Sequence, residues 1–385
     1  MKIIYEQNQL YAINSTGKRQ LLTKFIKAHE QSEGLFCVGI ASNSTGHGVK
    51  YGFIDDCGNM IIEPVFDYAR PFHEGLALVS IGCDQDGLHG REGFIDKTGE
   101  FVIQPKYACA RDFENGVSVV GIGGNKYGKG TKYGLINKNG DYIIEPHYTF
   151  IGVFVDECAW VQSGSEYGFI NNKGKELTPL AFSYVGDFRE GVAYAKEKNK
   201  NGLYGYIDTT GKYAIEPKFE KAGYFIDGIA IVKSNKKYGI IDKSGNFVIE
   251  PIYDGIAEWD SFCIYDDNHN LINLKPDWTI IIRKKKCGIL DRSLNIVLEP
   301  QFDIIDNEIH DGMIDLYDIY KDENNTETYR HGFISEDGKT LIPPIYDFAT
   351  SFENGISKVR LGSGKGCKYG CIDKKGNWLN SLTGL

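Results

Sequence analysis

The chain has 385 residues, is 42% hydrophobic and 25% charged, and carries a formal charge of −9 from 43 basic and 52 acidic side chains. That balance suits a folded chain rather than a disordered one. It excludes the basic excess with which proteins hold nucleic-acid phosphates. No run approaches the roughly 18 apolar residues of a membrane span, and Met1-Lys-Ile-Ile-Tyr-Glu lacks an apolar signal region.

The chain opens on a degenerate phrase, Leu10-Tyr-Ala-Ile-Asn-Ser-Thr-Gly17, which later copies repeat more strictly. After it, Leu21-Leu-Thr-Lys-Phe-Ile-Lys-Ala-His29 has an apolar spacing of three to four that predicts a short helix. Nine copies then align on a glycine preceded mostly by Tyr: Gly52, Gly93, Gly134, Gly168, Gly205, Gly239, Gly288, Gly332 and Gly370, at intervals of 34 to 49 residues. With the degenerate copy they make ten, and a self-similar period near 40 residues marks a repeat architecture.

Each copy reads as three short strands. The first follows a glycine, as in Gly75-Leu-Ala-Leu-Val79; the second is the Tyr-Gly run; the third ends on Glu-Pro. All are too short for helices and rich in β-branched and aromatic residues. Between the second and third strands, Asp or Asn opens a turn and Gly closes it three residues on, as in Asp55…Gly58 and Asp242…Gly245. An Asx side chain bonds back to the backbone there and glycine takes positive φ. Leu294 stands in that glycine slot in the eighth copy, which predicts a different or strained turn.

Pro64, Pro105, Pro146, Pro179, Pro217, Pro251, Pro300 and Pro344 close the third strands, as befits a residue with no N–H to donate. An aromatic follows two residues later, except in the fifth copy, where Phe182 follows Pro179 by three. Phe72, Phe113, Phe188, Phe225 and Phe352 precede the first strands. Both rows are expected to plug the seams between neighbours. The seventh and eighth copies carry insertions around 254–286 and 318–330, expected as surface loops. The chain thus divides into a capping copy (1–48), regular repeats (49–253), irregular repeats (254–330) and a terminal pair with its cap (331–385).

The phrase Tyr-Gly-[Phe/Ile]-Ile-Asp-x-x-Gly-x-[Phe/Ile]-Val-Ile-Glu-Pro-x-[Phe/Tyr], followed by Phe-x-[Glu/Asn]-Gly, resembles the repeat of the bacterial WG (KWG) proteins over nearly the whole chain. The namesake Trp is replaced by Tyr in six of the nine glycine-bearing copies, and by Glu92, Cys287 and His331 in the others. The resemblance implies a β-repeat module associated with binding and supplies no catalytic residues. The expected fold is all-β, a tandem array of about ten three-stranded antiparallel hairpin repeats, with an open, solenoid-like array favoured over a propeller-like ring because ten exceeds the usual blade number.

No catalytic, cofactor or metal set emerges. Gly123-Gly-Asn-Lys-Tyr-Gly-Lys-Gly-Thr131 approaches a P-loop, but Gly130 displaces the Thr and a strand, not a helix, follows. The eight histidines fall in no HxxxH or HExxH pattern, and nine cysteines, Cys37, Cys57, Cys83, Cys109, Cys158, Cys263, Cys287, Cys367 and Cys371, show no CxxC spacing. Free thiols in a reducing cytoplasm are the expectation. The recurrent Glu-Pro carboxylates read as structural. Candidate partner-binding residues are those in the Gly-Lys loops (Lys126, Lys129, Lys365), the basic run (Arg283, Lys285) and the tryptophans of the irregular copies (Trp259, Trp278). The expected function is a non-enzymatic scaffold binding another protein, with a toxin-neutralising factor or a glycan binder as alternatives. No cofactor, nucleic acid, membrane or small-molecule ligand is expected.

Overall fold

The structure, a computed structural model, describes residues 2–14, 17–41, 48–83, 90–124, 128–198, 202–257, 262–265, 271–275, 277–321, 325–362 and 366–379, with the backbone alone for 262–265 and 271–275. It is all-β: the described residues form sheets of three to seven strands, antiparallel except for one pair, with no α-helix, and none of the sheets closes on itself. They fall into two compact bodies, Met1–Gly202 with Tyr206–Ala214, and Leu203–Gly205 with Ile215–Leu385.

A typical repeat is a four-stranded meander. In repeat 3 a two-residue strand, Tyr68–Ala69, pairs with Ala77–Ile81, which pairs with Arg91–Ile95, which pairs with Phe101–Tyr107. The last three are the expected strands. The short one adds a fourth that is too brief to show in a hydropathy pattern.

The glycine of the Tyr-Gly pair is a spatial requirement. In repeat 2, Tyr51 faces Phe66 and Phe53 faces Ile62, so Gly52 alone stands opposite Glu63, Pro64 and Val65. The third strand bulges across it, and a Cβ on Gly52 would lie 2.4 Å from the Ile62 carbonyl oxygen and 2.8 Å from the Pro64 nitrogen. The same crossing meets Gly93, Gly134, Gly239, Gly288 and Gly332. Proline suits the bulge because a residue there has no ladder partner to donate to. In repeat 5 Phe182 still faces Tyr167 and Thr178 faces Phe169, so Phe182 keeps its place and Pro179 is the displaced residue, one position early.

The Asx turns form as expected. Asp55 Oδ1 accepts from the Cys57 and Asn59 amides at 2.9 and 2.7 Å, and Asn137 does the same for Asn139 and Asp141 at 2.9 and 3.0 Å. Leu294 keeps the turn's backbone bond to Asp291 but holds φ at 67°, so this turn is strained rather than different in type. Its side chain packs against the buried cluster of Ile240, Tyr253, Ile281 and Leu290.

First and second strands bury both faces, as at Ala77–Ser80 and Gly52–Ile54, so the core lies between consecutive sheets. Phe53 of one sheet meets Phe72 of the next at 4.9 Å between ring centroids, Phe94 meets Phe113 at 4.7 Å, and Phe333 meets Phe352 at 4.8 Å. Both expected aromatic rows are buried seam fillers.

A polar latch joins the same neighbours. Glu33, at φ 51°, accepts the Gly75 amide of the next sheet at 3.1 Å and pairs with Lys97 at 3.1 Å. Glu74 likewise takes Gly116 and Lys138 at 3.0 Å each. Asp156 takes Gly191 at 2.8 Å, and Asp311 takes Gly355 and Lys374 at 2.5 and 2.8 Å. Burial alone would raise the Glu33 and Glu74 carboxyls, but these donors outweigh it and hold both below the usual range.

Two expectations are overturned. Leu21–His29 is not a helix: Arg19–Leu21 and Lys27–Ser32 are strands of consecutive sheets. The spacing arises because Leu22, Phe25 and Ala28 pack on one core around a turn. The insertions are also not simply loops. Within the first, Phe262–Tyr265 and Leu271–Lys275 form a hairpin whose first strand runs parallel to Ile304–His310. The second lengthens Met313–Lys321 and Glu327–Ser335 into paired nine-residue strands.

Two outcomes follow. Gly52→Ala should cost about 3 kcal/mol in urea denaturation, since its Cβ meets backbone, whereas Gly75→Ala, which meets nothing within 4 Å but sits at φ 87°, should cost only about 1 kcal/mol of backbone strain. Asn59 bonds also hold the Asp55 carboxyl low, and Asn377 bonds do so for Asp373. Depressed folded-state values give stability that is present at neutral pH and lost as pH falls below about 4. Urea midpoints should therefore drop between pH 6 and pH 3, and Asp55→Asn, which copies the Asn137 turn, should reduce that slope.

Candidate functional site

The repeat defines a slot on the first strand, opposite the residue that follows the Tyr-Gly glycine. Cys37 faces Phe53, Leu78 faces Phe94 and Val119 faces Leu135, all as buried core. In repeat 5 the slot holds Trp160, facing Phe169, and in repeat 9 it holds Asp315, facing Phe333. In repeat 6 the corresponding residue is Tyr194.

Trp160 and Tyr194 build two equivalent aromatic pairs. Phe150, on the short strand of repeat 5, stacks on Trp160 at 5.1 Å and 19°. Tyr184, at the matching place in repeat 6, stacks on Tyr194 at 6.2 Å and 8°. Each inner ring lies over a glycine: a Cβ on Gly152 would meet the indole at 2.6 Å, and one on Gly186 the phenol ring at 2.4 Å. Repeats 3 and 4 carry Arg70 and Arg111 where these glycines stand. The glycines therefore admit a flat ring where repeats 3 and 4 hold a long cation, whereas repeat 7 keeps a glycine, Gly223, beside an aliphatic slot residue, Ile231.

The strip is fixed from below. Trp160 Nε1 donates to Asp187 Oδ1 at 2.8 Å, tying the two repeats together. Tyr167 packs on Trp160 at 5.7 Å, and Tyr133 on Phe150 at 5.8 Å. Arg111 lies 5.4 Å from the Phe150 centroid and donates to the Gly152 and Ile151 carbonyls at 2.7 and 2.8 Å. Burial lowers its pKa. The outer rings remain open: Phe150 is 37% exposed and Tyr184 52%. Tyr68 and Phe348 occupy the same short-strand position in repeats 3 and 10 and are also exposed.

Asp315 fills the slot differently. It is buried, accepts from Ser351 of the next repeat at 2.9 Å and from Tyr317 at 3.4 Å, and its Oδ1 has no partner among the described residues. Burial raises its pKa above the usual carboxylate range. Glu92 replaces the strand-two Tyr in repeat 3. Burial raises it too, against the Ala110 amide it accepts at 2.5 Å. Asp55, Asp56 and Cys57 bring ligand atoms within 4.8 Å of one another, but Asp55 is committed to its turn.

Of the residues expected from sequence to bind a partner, Lys126, Trp259 and Lys365 lie outside the described residues. Lys129 is exposed in a hairpin loop whose glycines Gly124, Gly128 and Gly130 take positive φ, and Thr131 opens a strand there, which removes the P-loop geometry. Arg283 and Lys285 are exposed around a tight hairpin turn with Lys284 and Lys285 at φ 51° and 64°. Trp278 is corrected to a core residue, buried with Ile289, Leu298 and Ile305. What the sequence reading missed was the pairing of Phe150 with Trp160 and of Tyr184 with Tyr194. Glycines two residues after Phe150 and Tyr184, where Arg70 and Arg111 stand elsewhere, were the available signal.

This fold defines a tandem β-repeat protein. Residues 51–82, 93–127, 133–166, 167–200, 204–238, 238–261 and 332–364 each match the WG containing repeat, covering more than half of the chain. The chain belongs to the WG-repeat family, and 262–331, which holds most of the first insertion and all of the second, is left unmatched. No curated protein matches it. Among solved structures, a crystal structure of the eukaryotic initiation factor is similar at 12% identity and TM-score 0.31, over 98% of this chain and 94% of that one. The tricorn protease matches at 12% and 0.26, over 93% and 45%. The β-propeller domain of the Trilobed protease from Pyrococcus furiosus matches at 12% and 0.30, over 63% and 90%. Likenesses this weak support neither a shape nor an activity for this chain.

Asp315 yields a test. Its raised folded-state pKa means that the protonated form is favoured by folding, so its contribution is best below about pH 4 and worsens as pH rises through the folded value. Asp315→Leu, restoring the apolar residue of Leu78, should stabilise the protein by about 1–2 kcal/mol at pH 7 and give no gain at pH 3. Thermal denaturation at the two pH values measures this.

Proposed function

We propose that this chain is a non-enzymatic repeat scaffold that binds another protein, and that the aromatic strip of repeats 5 and 6 is its main contact. The observation that carries the reading is the pair of stacked rings, Phe150 on Trp160 and Tyr184 on Tyr194, each with an exposed outer ring and a glycine seat, the first also held by the indole hydrogen bond of Trp160. Rigid aromatics offer large contact area for little conformational entropy and dominate interface energetics. Departures from the repeat also fall at non-catalytic groupings: a stacked pair, a buried carboxylate bonded to Ser351, a carboxylate bonded to a backbone amide. We place the protein in the cytoplasm, on the strength of the free thiols at Cys37, Cys57, Cys83, Cys109, Cys158, Cys287, Cys367 and Cys371. No helix of the described residues is long and apolar enough to cross a membrane.

The test is affinity capture with in-cell crosslinking, comparing wild type with Phe150→Ala/Tyr184→Ala. Both side chains are outer rings, so circular dichroism and melting temperature should change little. A specific protein recovered by wild type should be lost or reduced about tenfold in the double variant. Equal recovery by both would move the contact elsewhere. Recovery of polysaccharide in place of protein would overturn the reading.

A further inference from the structure

The two pairs are equivalent positions of adjacent repeats, so their separation is set by the fold. Trp160 of repeat 5 reaches Asp187 of repeat 6, the residue after the glycine that seats Tyr194, so the pairs adjoin along one strip. The two repeats are continuous through Glu176–Val185 in one seven-stranded sheet, but they fold face to face across the core of Cys158, Phe169, Phe188 and Ala193, and β-layers packed face to face lie about 10 Å apart. A polyproline II helix repeats every three residues, about 9 Å, and presents side chains i and i+3 on one side. Two aromatic platforms one layer apart therefore match the period of a Pro-x-x-Pro segment. Within each pair the rings are near-parallel, at 19° and 8°. That arrangement offers flat faces to proline rings, whereas a cage for a quaternary ammonium needs rings turned toward one point.

Charge adds a second constraint. Asp187 lies at the seam between the pairs, half-buried, with Oδ1 bound to the indole. Arg111, the cation beside Phe150, has both terminal nitrogens committed to carbonyls of repeat 5. The seam thus favours a cation on the ligand between two prolines, and the chain's net charge of −9 favours a basic segment in general. A single-stranded nucleic acid would also stack on aromatic rings, but it needs a basic groove to follow its backbone. Asp187 is the reverse of that.

We propose that the strip formed by Phe150, Trp160, Tyr184 and Tyr194 with Asp187 is a docking site for an extended, proline-rich peptide segment bearing a basic residue between prolines three apart. This rests on the protein-binding reading above and names the chemistry of the partner. The ligand enters preformed, so little ordering entropy opposes its binding. The proline rings cover the two platforms and the cation meets Asp187.

The experiment titrates full-length protein with a short synthetic peptide of repeated Pro-Ala-Arg-Pro units, by calorimetry and by the indole N–H resonance of Trp160 in nitrogen-15 spectra. Saturable binding with a shift of that resonance is expected. Tyr184→Ala and Phe150→Ala should each weaken it about tenfold, and a Pro-Ala-Glu-Pro peptide should bind more weakly than the Arg form. Should Tyr184→Ala lower stability, Tyr184→Phe, which keeps the ring, should restore both binding and melting temperature. No saturable binding, or binding indifferent to Tyr184→Ala and Phe150→Ala, overturns the proposal, as does preference for the Glu peptide or for an oligosaccharide. If the peptide fails while Phe150→Ala/Tyr184→Ala still abolishes capture of a cellular protein, this inference falls and the protein-binding reading stands.

Discussion

The third strand of each repeat passes over the second at a point where no side chain fits. With the Ile62 carbonyl 2.4 Å from where a Cβ on Gly52 would stand, only glycine permits the crossing, and the rest of the repeat follows from it. Three residues bulge opposite one, so proline is tolerated at the bulge. The aromatic that follows returns to register opposite the Tyr slot, as Phe66 does opposite Tyr51. The bend that comes next delivers the chain to the short strand of the neighbouring sheet. Repeat 5 shows which part of this is fixed: proline has slid one position, yet Phe182 still meets Tyr167. Space at the glycine and the ring register are conserved by geometry, and the exact place of the proline is not.

A sheet of three or four short strands with both faces apolar has no core of its own, which is why stability accrues between repeats. Two kinds of contact share that seam. The aromatic contacts, such as Phe94 on Phe113, are non-directional and tolerate exchange of Phe for Tyr or Ile. The latch is directional: Glu33 and Glu74 sit in the left-handed region and aim a carboxylate at a glycine amide of the next sheet. A polar side chain at positive φ costs backbone strain, and the amide and lysine it gathers offset that cost. The non-directional contacts set the packing and the latch sets the stagger between neighbours.

The sequence made the strands, the Asx turns and the seam aromatics legible because each leaves a residue signature at fixed spacing. The glycine before Phe53 was legible as a landmark but not as a steric necessity, since the bulge that crowds it comes from another strand. Phe-x-Glu-Gly was visible as a phrase while its latch was not, because its partners, Gly116 and Lys138 for Glu74, lie about 40 and 60 residues away. The short strands are two residues long and carry no periodicity. Leu22, Phe25 and Ala28 imitate a helical stripe because a turn brings them to one core. Within the irregular repeats, Trp278 stood out as an exceptional residue and proved to be ordinary core.

The aromatic strip shows how such a scaffold acquires a distinct surface without changing its frame. The slot of Trp160 is structural in Leu78 and Val119, where an aliphatic side chain fills the seam and nothing projects. Replacing it with a ring too large for the seam requires room on the adjoining strand, and Gly152 and Gly186 supply that room where repeats 3 and 4 carry Arg70 and Arg111. The large ring therefore depends on the glycine, while the glycine does not require the ring: repeat 7 pairs Gly223 with the aliphatic Ile231. The joint appearance of ring and glycine in two consecutive repeats is hard to attribute to packing, because Leu78 and Val119 already satisfy the seam with smaller residues. The same slot in repeat 9 holds Asp315, whose burial costs stability against an aliphatic neighbour. Departures at one geometrically defined position, in an array otherwise held to its pattern by the glycine crossing, separate what the fold requires from what it only permits.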